Sequence, residues 1–176
     1  MTPEDQTTLE ATIVAACTAH ENAHQRDFGH RPCIPIGTDY FVKVGSPKAL
    51  EPEIATQNYL FAYAEAYPNM PDTPRIPKVL FHFRHQLRMY MVMEYIQLAG
   101  PPPDPQKIAD ALRWLSKVPP PPNHVIGPLA GGCIRHKFFK DYEAPLDFSS
   151  VQALERYINK VRLCLVFLQY PPSSNE

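Results

Sequence analysis

Residues 76–96, IPKVLFHFRHQLRMYMVMEYI, decide the fold. Two β-rich runs, 76–84 and 87–96, flank the short connection His85-Gln86, the pattern of a hairpin of antiparallel strands. The second run is apolar on both faces, as a strand in the middle of a sheet must be. Immediately upstream, residues 50–66, LEPEIATQNYLFAYAEA, read as a helix. Ile54, Asn58, Phe61 and Glu65 share one side and Leu60 and Ala64 a neighbouring stripe. Pro52 suits a first turn, and Pro68, Pro71 and Pro74 end the helix. Residues 33–45, CIPIGTDYFVKVG, read as extended chain with a turn at Gly37-Thr38-Asp39. There Tyr40, Val42 and Val44 alternate with Phe41 and Lys43, and Ser46-Pro47 break the strand. Residues 7–27 place Leu9, Ile13, Ala16 and Cys17 at helical spacing, with Pro3 suiting the entry and Gly29 the stop.

Beyond the hairpin, Gly100 and PPPDP form a linker. Residues 105–117 form an amphipathic helix with Ile108, Leu112 and Leu115 on one side and Trp114 beside them as a core position. Pro119 to Pro122 make a second linker. Residues 123–146, with Gly127, Gly131, Gly132 and Pro145, look irregular, and within them Arg135, His136, Lys137 and Lys140 read as a solvated basic loop. Residues 149–160 read as a helix with a serine cap and Val151, Leu154 and Ile158 at helical spacing. No internal repeat is visible. The fold class is α+β: a small antiparallel sheet with one packed helix, followed by a few helices. The expected division is 1–30, an N-terminal helix; 31–100, the sheet lobe; and 101–176, a helical remainder with proline-rich linkers.

Composition bounds the rest. A chain of 176 residues fits one domain, and 44% hydrophobic residues supply a core. Seventeen Lys and Arg against eighteen Asp and Glu leave a formal charge of −1, without the basic excess that marks nucleic-acid binding. Proline, at 21 residues, is more than twice the usual ~5%, which excludes long uninterrupted helices through much of the chain. Cys17, Cys33, Cys133 and Cys164 are far apart and read as free thiols in a reducing compartment. The polar, acidic start MTPEDQTT is no secretory signal. The longest apolar run, Leu163 to Leu168, is far short of the ~20 residues a membrane span needs. A soluble, intracellular, cytoplasmic protein without membrane or nucleic-acid partners is expected.

The ordered elements resemble the small lobe of the protein-kinase-like fold, in its aminoglycoside-phosphotransferase-like branch. A strand carries a Lys (Tyr40-Phe41-Val42-Lys43), a helix a Glu (Pro52-Glu53-Ile54-Ala55), then comes a hairpin whose last strand ends Met93-Glu94-Tyr95-Ile96. RPCIPIGTDYFVKVG, PEIATQNYLF, MYMVMEYI and GPLAGGCIRHKFFKDYEAPLDFSSVQALERYINK look like fungal members of this branch. The similarity spans roughly residues 30 to 160. It implies ATP as ligand, Lys43 as the phosphate contact, Glu53 as its orienter and Glu94, Tyr95 and Ile96 as the adenine hinge. Glu51 competes with Glu53 for the orienting role, and Glu53 is preferred because it precedes the Ile54-Ala55 pair inside the helix pattern. The family activity is phosphoryl transfer to a small-molecule or protein hydroxyl. The sequence has no G-x-G-x-x-G before Lys43, no H-R-D or H-G-D catalytic loop and no D-F-G; Asp141 and Asp147 stand in neither context. A catalytically incompetent, pseudokinase-like chain that holds no magnesium is therefore expected. It is read as stopping before the catalytic loop, as a truncated product would.

A second chemistry is spelled by His20-Glu21-Asn22-Ala23-His24, an H-E-x-x-H on a helix. Residues at i and i+4 share a face, so both imidazoles can reach one Zn²⁺ with Glu21 as general base and His30 as third ligand. Asp27 stands where metzincin proteases carry Gly, and only 19 residues precede the motif, so zinc hydrolysis is the lesser alternative. An interaction module is the third: an incomplete large lobe leaves apolar surface for a protein partner, and the tracts at 101–105 and 119–122 suit proline-reading domains.

Overall fold

The computed structural model describes residues 2–97, 100, 104–124 and 126–169, without the side chains of Pro3, Lys140 and 162–169. The Pro101-Pro102-Pro103 tract and the Cys164 and Lys140 side chains lie outside the described residues. The elements are α1 (Pro3–His24), β1 (Cys33–Ile36), β2 (Tyr40–Gly45), α2 (Pro47–Ala66), β3 (Val79–His85), β4 (Arg88–Glu94), α3 (Pro105–Lys117) and α4 (Val151–Gln169), with a 3₁₀ turn at Lys140–Tyr142. The chain divides into two compact units at Pro119/Pro120, whereas the sequence suggested breaks near 30 and 100.

The first unit is built on a four-stranded antiparallel sheet in the order β1-β2-β4-β3. The all-apolar strand β4 is central, as its composition requires. Strand alternation sorts the side chains onto two faces. Val42, Val44, Tyr90 and Val92 form one face, packed by Ile13 and Cys17 of α1. Met89 and Met91 form the other, packed by Leu50 and Ile54 of α2. The expected single packed helix is thus joined by a second, and the sheet is a middle layer. A register irregularity between Val79 and Phe81 explains how Val79 joins the α2 side while Phe81 joins the α1 side. One extra residue reverses the side-chain alternation.

The boundaries follow local chemistry. Thr2 and Asp5 form a capping box, Asp5 N–H donating to Thr2 Oγ1 (3.2 Å) and Thr2 N–H to Asp5 Oδ2 (2.9 Å), so α1 begins four residues before the expected start. Ser46-Pro47 does more than end a strand. Ser46 Oγ accepts from Ala49 N–H at 3.3 Å and Pro47 opens α2, which moves Pro52 from the first turn into the helix interior. The hairpin turn is Gln86-Leu87 rather than His85-Gln86: Gln86 takes a φ of 53° and Leu87 projects into solvent.

In α3 the core residue is Trp114, 2% exposed and edge-on to Tyr63 of α2 at 5.9 Å. The expected inward stripe of Ile108, Leu112 and Leu115 is exposed instead. The single indole offers more area to bury than any one of those aliphatic chains, so its direction sets the docked side. Tyr59 of α2 donates its hydroxyl proton to Pro119 O at 2.6 Å, tying down the chain after α3.

The second unit gathers Phe139, Ala144 and Phe148 against Cys133, Ile134, Leu154 and Tyr157. Its segment before α4 is irregular apart from the 3₁₀ turn, as expected, and Arg135, His136 and Lys137 are exposed. Ser150 Oγ accepts from Ala153 N–H at 3.1 Å to start α4, which runs nine residues past the expected end at Lys160. Among the described residues no helix is long and apolar enough to cross a membrane.

Candidate functional site

Lys43 lies in β2 opposite Met91, on the face that α2 covers. Leu50 and Ile54 pin α2 to that face. Glu53, one residue before Ile54, is thereby brought to Lys43, with Nζ 2.5 Å from Oε1. Glu51 turns instead to Arg84 of β3. Of the two glutamates, Glu53 is the one paired with Lys43. Both partners of the Lys43–Glu53 pair keep over a third of their side-chain surface exposed, 37% and 40%. Such a pair contributes only about 0–1 kcal/mol to folding. Its consequence is positional: a cation is held at a defined point beside the methionine-lined face.

Next to it is an open cleft of about 590 Å³ lined by Phe41, Arg75, Pro77, Met93, Glu94, Tyr95 and Ile96. Phe41 and Met93 are paired across β2 and β4. Phe41 is two residues before Lys43 on the same strand face, which sets the cleft about 6–7 Å along the strand from the lysine. The rings of Phe41 and Tyr95 are 6.3 Å apart and inclined by only 17°. Gln57 of α2 donates to Pro77 O at 2.7 Å, fixing that wall. The Arg75 Nε–Glu94 Oε1 separation of 3.7 Å is a loose ion pair at the rim. All three residues expected as a hinge, Glu94, Tyr95 and Ile96, line this cleft.

The backbone along this wall of the cleft is partly committed. Glu94 N–H donates to Lys78 O (3.0 Å) and Tyr95 N–H to Asp39 O (2.9 Å). Phe41 is not among the walls expected from the sequence, although its period-2 relation to Lys43 carries that signal. Arg75 and Pro77 carry none, because the path of the 67–78 connection has no periodic signal. Chemically, the arrangement offers a fixed cation beside an apolar slot, suited to an anionic group carried on a flat ring.

The three histidines of the zinc alternative are also neighbours. The His20 ring lies 4.8 Å from His24 and 5.3 Å from His30. Among the described residues, however, no group of three or more His, Cys, Asp or Glu side chains is arranged to hold a metal ion. Glu21, the general base of that reading, is gripped by Arg88 of β4 through both terminal guanidinium nitrogens, Nη2–Oε1 being 2.8 Å. That hydrogen bonding holds the Glu21 carboxyl below its ordinary 4.5 and makes it a poorer proton acceptor. Burial raises the Cys17 thiol to about 11, so Cys17 is an inert core group.

The Glu21–Arg88 pair has a pH signature. A carboxyl lowered in the folded state contributes stability that is present above its unfolded value and lost as pH falls through the folded one. Glu21→Gln is expected to cost up to about 1 kcal/mol at pH 7, given the solvent-screened surroundings, and less at pH 3. Urea titrations of both proteins at the two pH values check this; an equal cost at both would assign the effect to packing.

No family model, curated protein or solved structure matches this chain.

Proposed function

We propose that the first unit is a kinase-like small lobe that binds a purine nucleotide and does not transfer phosphate. The observation that carries this reading is the Lys43–Glu53 ion pair, formed between strand and helix beside a cleft walled by Glu94, Tyr95 and Ile96. The sheet order, with α2 crossing between β2 and the β3–β4 hairpin, is compatible with such a lobe. In this reading Lys43 contacts the phosphates, Glu53 holds Lys43 in place, and the base enters the Phe41–Tyr95 cleft. Transfer needs a base and metal carboxylates. The sequence offers no motif for either.

Thermal shift with ATP and ADP, with and without Mg²⁺, tests binding. Nucleotide at 100 times its Kd is expected to stabilise the protein by about 2.7 kcal/mol. The shift is expected to be independent of Mg²⁺ and lost in Lys43→Ala. A clean melt that ignores nucleotide overturns the reading. Lys43-dependent turnover of Mg-ATP overturns the inactive half of it.

A further inference from the structure

We propose a second site, independent of the nucleotide reading: a two-histidine chelate for a borderline transition-metal dication on the last turn of α1, made by His20 and His24. These residues are four apart on one helix, a spacing that puts their Cβ atoms about 5–6 Å apart on one face. Their ring centroids are 4.8 Å apart. That is close enough for one ion to bridge a nitrogen of each at ordinary metal–nitrogen lengths of about 2.0–2.1 Å.

The second observation is the orientation of His24. Its Nδ1 is 2.8 Å from Asp27 Oδ2. A carboxylate on Nδ1 stabilises the tautomer with the proton there, which leaves the Nε2 lone pair for a metal. This carboxylate–histidine relay is the usual outer support of a histidine ligand, and it raises ligand basicity. The site is reachable. His24 and Asp27 have side chains 51% and 62% exposed. They border an open depression of about 290 Å³ whose other walls include Gly29, His30, Arg31 and Cys33.

The surroundings also set limits. The described residues offer no three-ligand group, so the ion keeps water in its remaining positions. His30 is near but outside the chelate. The Arg31 guanidinium at the rim opposes a dication and holds the affinity down. Glu21 is occupied by Arg88, so no base stands ready to activate a metal-bound water. The site is therefore one of binding, not hydrolysis. An ion there bridges the C-terminal end of α1.

Isothermal titration of the full chain with Cu²⁺, Ni²⁺, Zn²⁺ and Mg²⁺ separately, at pH 7.5, tests the proposal. One equivalent is expected to bind, Cu²⁺ most tightly, following the order in which imidazole sites prefer these ions. Mg²⁺, which favours oxygen ligands, is expected not to bind. Saturable binding should vanish in His20→Ala and His24→Ala. It should weaken about 10–100-fold in Asp27→Asn, a surface change that leaves both ligands present. It should be unchanged in His30→Ala and Cys33→Ser. Circular dichroism of each variant verifies the fold. Absence of saturable binding, or binding that survives His24→Ala, overturns the proposal. Loss in Cys33→Ser would mean a thiolate site, and loss in His30→Ala a three-ligand one; either overturns the two-histidine assignment.

Discussion

Trp114→Ala is expected to lower the stability of the first unit by about 3–5 kcal/mol, the range for removing a buried aromatic ring. Trp114 is the largest of the fully buried side chains. Its ring meets Tyr63 of α2 edge-on, so the cavity left by alanine opens between two helices that cannot easily close it. The indole Nε1 is buried with no hydrogen-bond partner among the described residues. Removing an unpaired donor costs little, so Trp114→Phe is expected to be much milder than Trp114→Ala. Urea unfolding of the three proteins reads both effects. A cost for alanine below about 1 kcal/mol, the ordinary scale of a surface change, would mean that α3 is not docked through this residue.

Ile13→Ala carries the second large effect, about 2–5 kcal/mol. Ile13 has no exposed surface and packs among Cys17, Val42, Val44, Tyr90 and Val92. The cost measures whether α1 is part of the sheet lobe or an appendage to it. If α1 were an appendage, truncating Ile13 would change little. Because α1 lies on the sheet face opposite α2, the nucleotide response of Ile13→Ala is expected to survive under conditions where the variant is folded. A variant that keeps its stability would remove α1 from the core; one that stays folded but loses nucleotide binding would place the nucleotide on the wrong face.

The elements were readable because each is written in local periodicity. β4 was legible as a central strand since LRMYMVME is apolar on both faces, and it sits between β2 and β3. The candidate site was half legible. Lys43 and a glutamate on the next helix could be named, and Glu53 was preferred to Glu51 for its place before the Ile54-Ala55 pair, although both precede Ile54 within one turn. The helix's rotation on the sheet sets their partners: with Leu50 and Ile54 buried, Glu53 is turned to Lys43 and Glu51 to Arg84. Likewise α3 displayed an aliphatic stripe, yet the structure buries Trp114 beside that stripe. Periodicity marks an apolar side without saying which part of it finds a partner.

From sequence alone came the α+β class, the order strand–helix–hairpin–helix, the turn at Gly37-Thr38-Asp39, and a lysine on a strand followed by a glutamate on a helix. These depend on residues a few positions apart, whose φ/ψ preferences and spacing act locally. Only the tertiary structure decided that α1 covers the second face of the sheet, that α2 is rotated so as to send Glu51 to Arg84 while Glu53 meets Lys43, and that Arg75 and Pro77 complete the cleft. It also brought Glu21 to Arg88, a residue 67 positions away. Contacts over such distances are set by strand register and by the way helices rotate to fill the space between layers, which no short stretch of the chain encodes.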